Sequence, residues 1–233
     1  MFGLSSYEIE ALSLSLKISI WAVVSGLIPG IAIAYLLARK NFPGKLLIDG
    51  LVHIPLVIPP VVTGYVLLIT FNDNAPAGKF LIDIFGSGIA FSWKGAVLAS
   101  VIMSFPLLVR SVRLSIEAVD RGLEEASKTL GASWFRVFFT ITLPLSIPGI
   151  ITGTVLAFAR CLGEFGATIT FVSNIPGETS TLPLALYTLT QTPGTESAAF
   201  RLCLISIALA LVAIAGSEYF SRKAGARLRG DNA

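Results

Sequence analysis

Residues 121–144, RGLEEASKTLGASWFRVFFTITLP, form the only long charged stretch between apolar segments of the chain. Gly131 lies near its centre, and glycine tolerates the left-handed backbone angles of a turn. On both sides of Gly131, apolar residues recur at intervals of three and four, the period of an amphipathic helix. These residues are Ile116, Val119, Leu123, Ala126, Leu130, Trp134, Phe138 and Ile141. We therefore expect two short helices joined by a turn at Gly131.

The composition around this stretch indicates an integral membrane protein. Of the 233 residues, 54% are hydrophobic and only 13% are charged, whereas a soluble domain usually carries about 25% charged residues. The N-terminus contains Glu8 and Glu10 and no basic residue before Lys17. A secretory signal peptide would begin with a positive region, so we expect the first apolar run to be a retained helix.

Five apolar runs are candidates to cross the membrane, which takes about 20 residues in a helix. They cover residues 18–38, 51–71, 91–111, 145–171 and 202–220. Backbone groups in lipid must pair internally, so the runs must be helical. The predicted fold class is an all-α membrane protein of five transmembrane helices, with room for a sixth short or re-entrant element. Pro55, Pro59 and Pro60 predict a kink at the start of the second span.

The distribution of lysine and arginine predicts the orientation. With the N-terminus outside, the inner segments 39–50, 110–143 and 218–233 hold 12 basic residues, and the outer segments hold 4. Basic residues favour the cytoplasmic side. The chain is therefore predicted to be N-out and C-in, with a cytoplasmic loop at 114–144 and a basic cytoplasmic tail at 221–233.

The polar face of the loop is mixed in charge. Four acidic residues lie between positions 117 and 125, and the spacing predicts the ion pairs Glu117–Arg121 and Glu124–Lys128. A helix lying on the membrane surface is one interpretation, but such helices favour basic polar faces. A protein docking surface fits the mixed charge better.

Several motifs carry a resemblance to a known family. Glu125-Ala126-Ser127, Gly131 and Ile141-x-Leu143-Pro144 have the spacing of the E-A-A signature loop of bacterial ABC importer permeases, with Ser127 in place of the usual alanine. Beyond the loop, the chain resembles the molybdate permease family over about residues 12–220. The matching segments are 42–45, 56–65, 103–106, 157–171 and 174–179. The Gly-Glu-Phe-Gly-Ala run in the fourth of these segments is shared with sulfate and thiosulfate permeases.

The resemblance implies a type I ABC importer permease fold, placed as a multi-pass protein in the bacterial inner membrane. It also implies a homodimer forming the pore, two cytoplasmic ATPase subunits that bind ATP and Mg²⁺, and a periplasmic molybdate-binding protein. The residues implied to couple to the ATPase are Glu125, Ala126, Ser127, Leu130, Gly131, Ile141, Leu143 and Pro144. Sulfate, thiosulfate and tungstate remain alternative substrates.

No catalytic residue, metal site or cofactor is expected in the chain itself. It contains no G-x-x-x-x-G-K-[ST] motif, so it does not bind ATP through a P-loop. Cys161 and Cys203 lie in apolar runs and are expected to be core residues. An ion-coupled secondary transporter should show internal repeats, and none is clear. A membrane-embedded enzyme would need a larger cluster of ionisable residues than Arg160 and Glu164. Nothing points to nucleic acid.

Arg160 and Glu164 lie one helical turn apart within the fourth apolar run. Intramembrane charges are costly and face a bundle interior or water, so the pair either lines the translocation path or neutralises itself and braces helix packing. Thr168, Thr170 and Ser173 follow toward the outer end. Their hydroxyls either line the path or bond back to their own helix carbonyls.

The orientation can be tested by cysteine labelling in a background without the two natural cysteines. We expect Cys at position 6 (Ser6→Cys) to react with an impermeant maleimide in intact cells, and Cys at position 232 (Asn232→Cys) to react only after the membrane is opened. The reason is the excess of basic residues in the inner segments. Labelling of both sites from one side would contradict an odd number of spans.

Overall fold

The computed structural model describes residues 3–229, and every regular element in that range is helical. The all-α prediction is thus confirmed for these residues, whereas positions 230–233 of the predicted tail lie outside them. The elements are α1 Ser6–Arg39, α2 Lys45–Val57, α3 Pro60–Phe71, α4 Pro76–Phe85, α5 Trp93–Glu117, α6 Arg121–Thr129, α7 Trp134–Val137, a π-helical segment Phe138–Thr142, α8 Leu143–Leu162, α9 Gly166–Val172, α10 Leu182–Gln191 and α11 Glu196–Arg229.

In the described range, four helices are long and apolar enough to cross a membrane unaided. They are α1, α5, the continuous helix Trp134–Leu162 and the part Glu196–Phe220 of α11. The pair α2 and α3 passes the same test together, although it is bent by 114°. The predicted count of five spans is reached when this bent pair crosses as one.

Helix α1 begins at Ser6, twelve residues before the predicted start of the first span at 18. Ser5 and Glu8 form a capping box, in which each side chain accepts a hydrogen bond from the other residue's backbone N–H. The Glu8 side chain also pairs with Arg201 of α11, Nε to Oε1, at 3.0 Å. Because Arg201 neutralises its charge, the Glu8 side chain can be buried in the first turn of α1.

The second predicted span, 51–71, is not one helix and needs correction. Helix α2 ends at Val57, and both Ile58 and Pro59 are extended, with ψ of 148° and 136°. Each of them precedes a proline, whose ring disfavours the helical region for the residue before it. Prolines at 59 and 60 therefore break the span, where the sequence predicted only a kink.

The fourth predicted span, 145–171, is also interrupted. Helix α8 ends at Leu162, and the short helix α9 starts at Gly166 after a break at residues 163–165. The break contains Glu164, but apolar residues follow it up to Phe171, so the sequence predicts one span.

Helix α5 is central to the bundle and packs against α1, α8, α9 and α2. Val109 and Val112 of α5 are fully buried in a cluster with Leu37 of α1 and Ala157 of α8. Leu108 lies against Gly30 of α1, where a Cβ atom would be 2.7 Å from the Leu108 Cδ2 atom. Small residues on α1 thus let the two long helices approach closely.

A second close approach joins the two broken spans. A Cβ atom on Gly64 of α3 would lie 2.5 Å from the carbonyl oxygen of Ala167 on α9. A Cβ atom on Gly166 would lie 2.7 Å from the Pro60 side chain. The helix after each break therefore packs against the helix after the other.

We expect Gly64→Ala to destabilise the protein by about 1–3 kcal/mol, because the new methyl group overpacks a backbone contact. Thermal unfolding in detergent measures the change. Gly50→Ala in α2 is the matched control, since its Cβ would meet no atom within 4 Å and alanine is favoured over glycine in a helix by about 0.5–1 kcal/mol. Equal melting temperatures for the two variants would contradict the tight α3–α9 contact.

Candidate coupling surface and translocation path

The predicted turn at Gly131 is present. Gly131 has φ of +84°, and two hydrogen bonds close the end of α6: Ala132 N donates to Ser127 O at 3.1 Å, and Gly131 N donates to Lys128 O at 2.9 Å. This pair of bonds is a Schellman motif, which favours glycine at the left-handed position. Asp120 caps the start of α6, its carboxylate accepting from Gly122 N at 2.8 Å.

The outward side of this helix–turn–helix is exposed and carries both apolar and charged residues. Leu130 is 89% exposed, and the acidic side chain of Glu125 is also exposed. We call this surface the coupling face and define it by Leu123, Glu125, Ala126, Leu130 and Phe135. Large apolar side chains exposed in one short loop mark interaction sites, so the coupling face fits a protein partner.

Other residues of the signature lie behind the coupling face. Ser127, Ile141, Leu143 and Pro144 are half-buried. The residues at 141–144 belong to the end of the π-helical segment and the first turn of α8, where the loop enters the membrane-spanning helix, and their coupling role stays a prediction.

Glu124, next to the exposed Glu125, faces the opposite way and is buried. Arg39 Nη2 lies 3.0 Å from its Oε1 atom, and Thr142 Oγ1 donates to the same oxygen at 2.6 Å. Arg39 also donates from Nη2 to the carbonyl of Val119 at 2.9 Å. The sequence missed this cluster, because Glu124 seemed to be satisfied by Lys128 one turn away.

The two ion pairs predicted within the loop are both replaced. Glu124 pairs with Arg39 instead of Lys128, and Glu117 pairs with Arg113 at 2.8 Å instead of Arg121. Arg113 also holds Asp49 of α2 at 3.0 Å. Glu124 thus pairs with another element, whereas Glu117 keeps an i,i+4 pair but makes it with Arg113 on its own helix. Exposed i,i+4 pairs are worth only a few tenths of a kcal/mol, so they are readily exchanged.

Aromatic rings fix the second short helix to α1. Trp134 Nε1 donates to the Tyr35 hydroxyl at 2.6 Å, and the ring of Phe138 lies 5.0 Å from that of Tyr35, edge to face. The π-helical segment then leads into α8, with Leu143 N donating to Phe138 O five residues back. The helix–turn–helix is thus continuous with a membrane-spanning helix.

At the far end of α8, the predicted intramembrane charges meet at the helix break. Arg160 Nη1 is 2.6 Å from Glu164 Oε2, and the Arg160 side chain is 26% exposed whereas that of Glu164 is 2% exposed. The other Glu164 oxygen accepts from the backbone N–H of Ala167 at 2.8 Å. The carboxylate therefore satisfies the first turn of α9.

The three candidate hydroxyl residues lie along α9 and at its end. Thr168 donates to Glu164 O at 3.2 Å, and Thr170 donates to Gly166 O at 2.9 Å. Ser173 has φ of +63°, and its carbonyl accepts from Thr179 Oγ1 at 3.2 Å. The structure thus groups Arg160, Glu164 and these residues in one segment. Most of α8, which is 20 residues and about 30 Å long, separates them from the coupling face.

The bundle has the fold of the membrane subunits of ABC importers. The structure of a bacterial alginate ABC transporter, in complex with a periplasmic protein bound to an alginate pentasaccharide, superposes with a TM-score of 0.75 at 17% identity. The match covers 94% of this chain and 80% of that chain. The predicted type I importer permease fold is confirmed.

Residues 30–225 match the family of binding-protein-dependent transport system inner membrane components, and the chain belongs to that family. It is therefore a multi-pass protein of the inner membrane. The molybdenum transport system permease protein of Escherichia coli K12 is 61% identical, over 94% of this chain and 96% of the relative. That of Haemophilus influenzae is 56% identical, over 93% and 94%.

We expect Gly131→Val to weaken binding of the ATPase subunit to the permease. A β-branched residue at a left-handed position destabilises the turn by about 1–2 kcal/mol or more. No atom lies within 4 Å of the added Cβ, so the cost comes from the backbone angle alone. Asn at this position (Gly131→Asn) is the matched control, since asparagine tolerates left-handed angles. Recovery of ATPase with the purified permease measures the effect, and equal recovery for both variants would refute it.

Proposed function

We propose that the chain is the permease subunit of an ATP-driven importer that carries molybdate into the cytoplasm. The observation that carries the proposal is the 61% identity to a molybdenum permease along 94% of the chain. The coupling face supports the proposal, because a surface with exposed apolar residues on the predicted cytoplasmic side is where an ATPase subunit would dock.

Import of molybdate needs an energy source outside this chain. Moving one charge against the membrane potential costs about 2.3 kcal/mol per 100 mV, so a dianion entering a cell that is negative inside costs roughly twice that amount. A passive pore would run outward. In the proposed complex, two ATPase subunits bind ATP and Mg²⁺ and act on the coupling faces of two permease copies.

The proposed pore forms between two copies of the chain around a two-fold axis, the commonest symmetry of oligomers. An ion that must both enter and leave is best served by neutral donors rather than many fixed cations. We assign Arg160 and Glu164 a bracing role, because the pair is self-neutralised and Glu164 also holds the start of α9. Thr168, Thr170 and Ser173 remain candidates for the path.

Uptake in reconstituted vesicles tests the proposal. The permease, its ATPase and a periplasmic binding protein are reconstituted, and entry of molybdate is followed with and without ATP on the cytoplasmic side. We expect ATP-dependent uptake that tungstate inhibits and excess sulfate does not. Stronger competition by sulfate would make the chain a sulfate permease of the same architecture. Uptake driven by an ion gradient without ATP would contradict the importer class.

A further inference from the structure

The buried Arg39–Glu124 ion pair lies directly behind the coupling face. The side chains are 6% and 8% exposed, whereas the neighbouring Glu125 is exposed. Adjacent acids on α6 therefore point in opposite directions, one outward and one into the protein. Burying an ion pair costs desolvation free energy, and that cost is offset only when the geometry and the hydrogen bonds of the pair are good.

Three separate elements meet at this pair. Arg39 is the last residue of α1, Glu124 lies in the first turns of α6, and Thr142 ends the π-helical segment before α8. The Glu124 Oε1 atom accepts from Thr142 Oγ1 at 2.6 Å and from Arg39 Nε at 3.2 Å. One carboxylate oxygen thus joins the coupling helix to the ends of two membrane-spanning helices.

Few other contacts hold α6 to the bundle. Its main neighbours are α7 and the π-helical segment, which belong to the same loop. Apolar contacts let helices slide by small amounts, whereas directional bonds between buried charges weaken steeply when their geometry changes. A displacement of α6 must therefore either break the Arg39–Glu124 pair or carry the end of α1 with it.

We infer that Arg39 and Glu124 are positioning residues of the transport cycle: they pass the motion of the coupling helix to α1, in addition to the direct covalent route into α8. The inference rests on the proposed function, since it needs an ATPase acting on the coupling face. It goes further in assigning α1 a driven role and in naming the residues that drive it.

The test compares ATP hydrolysis with transport in the complete reconstituted complex. Glu124→Gln keeps the size of the side chain and its ability to accept from Thr142, but removes the charge. We expect the hydrolysis rate to change little, while molybdate transported per ATP falls on the order of tenfold, within the usual range of coupling between sites. Arg39→Lys, which keeps the charge but loses the planar fork, should show the same split.

Glu10→Gln is the matched control, because Glu10 is an exposed acid of α1 at the opposite end from Arg39. We expect it to leave both rates unchanged. Parallel loss of hydrolysis, transport and bound ATPase in Glu124→Gln would show a purely structural anchor and overturn the inference. Unchanged transport per ATP in both Glu124→Gln and Arg39→Lys would also overturn it.

A second measurement is independent of the substrate. A spin label at the exposed position 28 of α1 (Ile28→Cys, without the two natural cysteines) reports the distance between the two copies with and without ATP. We expect an ATP-dependent change in the parent and its loss in Glu124→Gln. A parent that shows this change without moving molybdate would refute the proposed substrate but leave the link intact. Retention of the change in Glu124→Gln would overturn the link.

Discussion

The structure depends on a constraint imposed by lipid: a backbone N–H or C=O group without a partner in hydrocarbon costs several kcal/mol. The protein nevertheless interrupts two apolar runs, at Ile58–Pro59 and at residues 163–165. Backbone groups beside the interruptions find hydrogen-bond partners within the protein. Glu164 accepts from the backbone of Ala167 at one break, and the helices that follow the two breaks touch at Gly64. The segments that follow the two breaks therefore pack against each other.

Much of the fold could be predicted from the sequence, because long uncharged runs leave little choice but helices. The turn at Gly131 was also accessible, since a glycine interrupts a clear helical period. The 114° bend between α2 and α3 was not, because prolines mark where a helix stops and say nothing of the direction in which the next one starts. The break before α9 contains Glu164, but the apolar residues that follow it made the two parts look like one span.

The charged residues show the same limit for the candidate site. Sequence spacing singled out Arg160 and Glu164, and the structure pairs them because they are one turn apart on the same element. Sequence spacing could not pair Arg39 with Glu124, which are 85 positions apart, or Glu8 with Arg201, which are 193 positions apart. In both distant cases the acid is buried in the bundle. These two acids tie the two ends of α1 to other elements of the fold.

The π-helical segment between α7 and α8 has a consequence for the angular phase of the long helix Trp134–Leu162. A π turn contains an additional residue compared with an α turn, and each α-helical residue advances the helix by about 100°. The side chains of α8 are therefore rotated relative to those of α7 by about a quarter of a turn. If a constant helical period is assumed through α7 and α8, the residues of α8 are therefore assigned to the wrong face of the helix. Such an insertion also lets the cytoplasmic and membrane parts of one continuous helix meet different neighbours.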